Sequence, residues 1–129
     1  MNSGCSDKYI FRWKRFVASF RFALNGLRLA AKEPNFRFHL ASAAAVAMAG
    51  FWLSLTRTEW LFILIMIFGV MALEVVNTAI EKTVDLVTED LHPLAKEAKD
   101  LAAGAVLLFS CLALLTGAII FLPKVWRLF

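Results

Sequence analysis

Three apolar stretches divide this chain, and one of them runs without a turn signal into a stripe of polar side chains. Residues 40–55 contain nothing ionisable. Trp60 to Leu73 is apolar apart from a glycine, then continues into Glu74, Asn77, Glu81 and Asp85. Leu101 to Leu122 is 22 residues without a charge. A membrane crossing needs about 20 predominantly apolar residues, so the pattern predicts helices over 34–55, 59–85 and 94–122, each containing a span. The second crosses only if protein shields its lower half. Ahead of these, Phe16, Phe20, Leu24 and Leu27 recur at helical spacing among Arg12, Arg15, Arg21 and Arg28. That alternation predicts an amphipathic helix over 11–31 lying along the membrane interface, preceded by a frayed polar tail at 1–8. The whole is an all-α integral membrane protein of one domain, 1–129.

The breaks carry local signals. Lys32-Glu33-Pro34-Asn35 ends the first helix, because proline disfavours helix in the residue before it and suits the first turn of the next. In Thr56-Arg57-Thr58-Glu59 we expect Thr58 to cap a helix opening at Glu59, too early for Glu59 to complete a capping box. Thr88 to Pro93 is a polar loop, with Pro93 starting the last helix. Ala102, Ala103 and Gly104 make the near half of that helix slender, a face on which backbones approach closely in lipid.

Composition agrees: 60% of 129 residues are hydrophobic, too many for a chain this short to hide in a soluble core. Of 14 Lys and Arg, eight precede the first span. The positive-inside rule then places the N-terminus and the 86–98 loop in the cytoplasm and the Thr56–Glu59 turn and C-terminus outside a cell membrane. No cleavable leader is expected. The net charge of +4 flanks apolar segments and matches no nucleic-acid reader, so anionic headgroups are the expected counterpart and nucleic acid is not. Cys5 and Cys111 are too far apart to bridge. His39 and His92 lack the compact ligand set of zinc. Trp13, Trp60 and Trp126 suit interface anchors.

The stripe carries the chemistry. At about 100° per residue, Glu74, Asn77, Glu81 and Asp85 share one helix face. Acids at membrane depth are costly and mark functional sites. Glu74 lies about 10 Å along the axis from Glu81. The deeper carboxylate thus meets a group held in the membrane, the shallower one a soluble, cation-bound substrate. Lys82 points about 100° away from Glu81, so a divalent cation is the expected neutraliser of Glu33, Glu81 and Asp85. Phosphoryl transfer to a lipid alcohol fits these parts, but no glycine-rich phosphate loop or kinase signature is present. On the residues alone an ion or proton pathway stays ahead of a kinase, and a non-catalytic assembly subunit stays open.

The strings Glu74-Val-Val-Asn77-Thr-Ala-Ile-Glu81-Lys-Thr-Val-Asp85 and His92-Pro-Leu-Ala-Lys96-Glu-Ala-Lys99-Asp100, with Gly26-Leu-Arg28 and Glu33-x-Asn-x-Arg37-x-His39, resemble the prokaryotic diacylglycerol kinase family. They look most like its undecaprenol kinase branch in Gram-positive bacteria. The resemblance implies a homotrimer of subunits with one interfacial and three transmembrane helices, and sites shared between subunits at the cytoplasmic surface. It implies ATP and Mg²⁺ from the cytoplasm and a lipid alcohol from the bilayer, either undecaprenol or diacylglycerol. Glu74 matches the family's proposed base, and Glu33 and Glu81 match its metal-binding acids. Asn77, Lys99 and Asp100 match positions that organise the site or contact nucleotide, and Arg15 matches an N-terminal nucleotide-contacting arginine. Lys99 is expected to stabilise the transferring group, and Asp85 to support the arginines near the nucleotide. An independent expectation favours assembly: three spans of one chain should leave Glu74 and Asn77 open on one side.

Overall fold

The computed structural model describes the backbone of residues 3–88 and 92–127 and the side chains of 15–88 and 92–127. The side chains of Cys5, Arg12 and Trp13, and residues 89–91 of the Thr88–Pro93 loop, lie outside the described residues. Four helices follow one another: α1 Ser3–Ala30, α2 Pro34–Trp52, α3 Arg57–Val87 and α4 Pro93–Trp126. The first begins eight residues ahead of the expected 11, so the tail read as frayed is largely helical.

The proline punctuation holds at both starts. Glu33 is extended (φ −76°, ψ 133°) ahead of Pro34, which occupies the first turn of α2. His92 caps α4, its ring accepting from the Leu94 amide at 3.2 Å through Nδ1, with Pro93 in the first turn. The start of α3 differs from the expectation. Thr56, not Thr58, is the cap, and Glu59 at the third helical position completes the capping box. The Thr56 amide donates to Glu59 Oε2 at 2.7 Å, and the Glu59 amide returns a bond to Thr56 Oγ1 at 3.4 Å. The turn before it, through Ser54 at φ 50°, is compact. Gly50 lets the Trp60 ring close over it, since a Cβ there would lie 2.9 Å from that ring.

Helices α3 and α4 pack antiparallel along most of their length, with α2 and α1 on α3. Gly69 receives the Phe109 ring, which would meet a Cβ at 2.3 Å. Ion pairs fasten both ends: Glu59 to Lys124 at 3.1 Å, and Asp85 to Lys99 at 2.5 Å. Few apolar side chains are buried, among them Phe36, Ile63, Val70 and Val106. Leu108 and Ile119 on α4 are 76% and 75% exposed, an apolar exterior that water would penalise and lipid tails would not.

Both α3 and α4 are long and apolar enough to cross a membrane. Helix α2 does not meet the same test. Its 19 residues include Asn35, Arg37 and His39, and at 1.5 Å per residue its length is about 28 Å, against about 30 Å of hydrocarbon.

The cap gives a pH-dependent stability. Glu59 lies ahead of the apolar run, and the Thr56 amide and hydroxyl, with a smaller contribution from Lys124, hold its carboxyl below the ordinary carboxylate value. A depressed carboxyl stabilises the fold above its unfolded pKa, about 4.3, and loses that contribution as pH falls through the lower folded value. The melting advantage of wild type over Glu59→Gln should therefore stay constant from neutrality to the ordinary carboxylate range and shrink below it. A pH-independent difference would contradict this origin. Thr56→Ala should cost about 1 kcal/mol at any pH that keeps the cap.

Candidate active site

The acidic stripe of α3 lies against the neighbouring helices. Glu74 is 3% exposed and Asn77 4%. Asn77 Nδ2 donates to Glu81 Oε1 at 2.8 Å, one turn along the same face. These three line a cleft of about 250 Å³ with Asn35, Phe38 and His39 of α2 and Ala103, Val106, Leu107 and Ser110 of α4. Asn35 and His39 share the cleft lining with Glu74. The burial of Glu74 and Asn77 within a single chain removes one expectation: their exposure does not demand a second copy, because α2 and α4 already cover them.

A second, apolar cavity of about 490 Å³ adjoins the cleft. Phe38, His39 and Ser110 line both. It continues past Val46, Ile63 and Val70 to Ala118 and Phe121. From Ser110 to Phe121 the α4 axis rises about 16 Å. A polar cleft thus opens at its deep end into a hydrocarbon-compatible groove, which suits an amphiphile whose reactive head is polar and whose tail is not.

The charged positions sit towards the other end. Glu33 Oε1 accepts from Lys82 Nζ at 2.7 Å, joining α2 to α3. This corrects the helical-wheel expectation: Lys82 does point away from Glu81 at its root, but its long stem carries the ammonium to a carboxylate on the next helix. Asp85 holds Lys99 and not an arginine. Lys96 pairs with Asp100 at 2.6 Å on the outer face of α4, and Asp100 does not line the cleft. Arg15 is exposed on α1, also outside the cleft lining. So the fold brings together Glu74, Asn77 and Glu81, and sets Glu33, Asp85, Lys99, Asp100 and Arg15 outside the cleft lining.

The donor set fits a hydrated divalent cation. Glu33 already pairs with the Lys82 ammonium, so a cation is accepted at this end of α3. Among the described residues no group of three His, Cys, Asp or Glu side chains is placed to hold a metal ion. Mg²⁺ rarely uses such a group, preferring one or two carboxylates completed by water and substrate phosphates.

Reasoning from sequence missed Asn35 and Ser110 as cleft residues, and weighed His39 only as a metal ligand. The signal on α2 was present: Asn35, His39, Ser42 and Val46 recur at three to four residues, a polar-to-apolar face. Ser110 sits within an unbroken apolar run and gives no such signal.

Fold and site together define an all-helical membrane protein built around a carboxylate-bearing cleft that meets an apolar groove. The chain belongs to the prokaryotic diacylglycerol kinase family, which residues 21–121 match, and it is an enzyme. It is 50% identical over 111 residues to the undecaprenol kinase of Bacillus subtilis, covering 85% of this chain and 90% of that protein. It is 41% identical over 114 residues to a diacylglycerol kinase of Synechocystis, covering 87% of this chain and 65% of that protein. To the diacylglycerol kinase of Haemophilus influenzae it is 32% identical over 107 residues, 81% of this chain and 91% of that protein.

Proposed function

We propose that this enzyme transfers the γ-phosphate of ATP to undecaprenol, forming undecaprenyl phosphate and ADP. The observation that carries the reading is the junction of the Glu74 cleft with the apolar groove. The similarity to the Bacillus subtilis undecaprenol kinase supports the choice of alcohol. Diacylglycerol is the second acceptor to weigh, because other relatives bear that name.

In this mechanism the lipid tail fills the groove and its hydroxyl reaches Glu74. The hydroxyl oxygen attacks the γ-phosphorus in line, the new O–P bond forms as the bond to the β-phosphate oxygen breaks, and the hydroxyl proton passes to the Glu74 carboxylate. Asn77 orients the cleft through its bond to Glu81. Lys99, held by Asp85, meets the nucleotide phosphates, and Arg15 joins it there; Asp100, paired with Lys96, orients a cation or bonds the nucleotide. Glu33 and Glu81 are the residues that would hold Mg²⁺, which when bound would offset charge on the polyphosphate; Lys82, now bonded to Glu33, would have to release it.

The same reading makes residues 1–129 one kinase domain with three crossings, the interfacial α1 and the site on the cytoplasmic face, and the C-terminus outside. It also makes the working form a homotrimer with shared sites. The support for assembly is the family resemblance and the small-residue stretch at Gly104, where a Cβ would meet nothing within 4 Å. The largely apolar deep groove disfavours ion conduction, which needs polar groups along the whole path.

Purified protein in lipid vesicles tests the proposal. Radiolabelled γ-phosphate should pass from ATP to undecaprenol only with a divalent cation present, and with a higher kcat/KM than to diacylglycerol assayed beside it. Transfer to neither lipid would refute the kinase. The opposite preference would refute the choice of alcohol alone.

A further inference from the structure

The geometry points to Ser110 as the residue that holds the oxygen of the lipid alcohol, donating its hydroxyl hydrogen to that oxygen while the alcohol's own hydrogen faces Glu74. This rests on the kinase reading and adds a binding residue to it.

Three observations converge. First, Ser110 Oγ is shut off from solvent and has no hydrogen-bond partner among the described residues. The hydroxyls of Ser19, Ser42 and Thr83 instead bond back to the carbonyl four residues earlier, at 2.9, 3.0 and 2.8 Å, the usual resting place for a helical hydroxyl. A buried hydroxyl left unpaired carries a desolvation penalty, and a ligand oxygen relieves it.

Second, the register of α3 on α4 sets Ser110 opposite Glu74. The Asp85–Lys99 ion pair fixes that register. Glu74 lies eleven residues before Asp85, and Ser110 eleven after Lys99. The helices run antiparallel, so both positions rise by the same distance from the pair and face the same cleft.

Third, Ser110 stands where the cleft becomes the groove, lining both. An alcohol with its tail in the groove has its oxygen at this boundary. The other unpaired buried atom of the cleft, Asn77 Oδ1, is an acceptor only. Of the two, only Ser110 can donate to the alcohol oxygen and leave its proton free to move to the base.

The test compares Ser110→Thr with Ser110→Val, which share a shape and differ by one hydroxyl, alongside Ser110→Ala. Initial rates are measured in vesicles with undecaprenol and ATP varied separately, and melting temperatures are recorded for each variant. The KM for the alcohol should rise about fivefold in the alanine and valine variants, as expected for one lost hydrogen bond. It should stay near wild type in the threonine variant, and the KM for ATP should be unchanged in all three. Equal alcohol KM values for the threonine and valine variants would overturn the assignment. So would a loss of thermal stability or assembly in Ser110→Ala with the alcohol KM unmoved, which would mean that another protein group pairs with the hydroxyl. A wild-type protein that phosphorylates no alcohol would instead refute the kinase reading, and the role of Ser110 with it.

Discussion

Glu74→Gln is expected to lower kcat by about 10²–10⁴-fold, the usual worth of a positioned general base, with the helical fold intact. Glutamine keeps the size of the side chain and its capacity to hydrogen-bond across the cleft that Asn35 and His39 line with it. What it cannot do is accept the alcohol's proton. A structural acid in the same place would behave differently, because a neutral amide buried at 3% exposure costs no more than the carboxylic acid it replaces. Rates at saturating ATP and alcohol, with circular dichroism on the same preparations, separate the two. A variant within about threefold of wild type, below the range for base catalysis, would remove Glu74 from the mechanism.

Lys99→Ala should produce the second large loss, about 10²–10³-fold in kcat/KM for ATP, the scale for deleting one preorganised donor to developing charge. Its ammonium is held by Asp85, where α3 ends and α4 begins. Incoming phosphates offer it a stronger partner, and Asp85 keeps it from wandering beforehand. Arginine should restore the charge but only part of the activity, since its planar fork is not interchangeable with a compact ammonium. The variant also tests sharing of the site. Mixed oligomers of Lys99→Ala and Glu74→Gln chains should regain activity if each site draws these two residues from different subunits. Mixtures as inactive as either parent would show that one chain supplies both.

The legible parts of this protein were those written along a single helix. Glu74, Asn77, Glu81 and Asp85 announced a shared face by spacing alone, and the Asn77–Glu81 bond is the local interaction such spacing allows. Pro34 and Pro93 marked helix starts because proline acts on its own backbone. Relations between helices were not written there. Lys82 was judged by its root angle on α3, whereas its partner Glu33 comes from the end of α1 and the start of α2. Ser110 looked like filler in an apolar run until the packing of α4 on α3 put it in the same cleft as Glu74. The α3 cap was misplaced for a different reason. Two threonines precede Glu59, and the apolar boundary at Trp60 favoured the later one, though Thr56 alone stands three residues ahead of that glutamate.

The equal eleven-residue intervals on α3 and α4 also bear on how this chain tolerates change in length. Eleven residues make just over three whole turns, so Glu74 shares a face with Asp85, and Ser110 with Lys99. The two helices work as matched gauges reading from a common zero at the Asp85–Lys99 pair. Inserting one residue inside either interval would turn everything beyond it by about 100° and slide it by about 1.5 Å. Glu74 or Ser110 would leave the cleft, although every residue type the chemistry requires would still be present. Lengthening the chain between Val87 and Pro93, outside both intervals, disturbs neither gauge. Such a scaffold is therefore expected to accept substitution along the helices and added length in their links, but not insertion inside either interval.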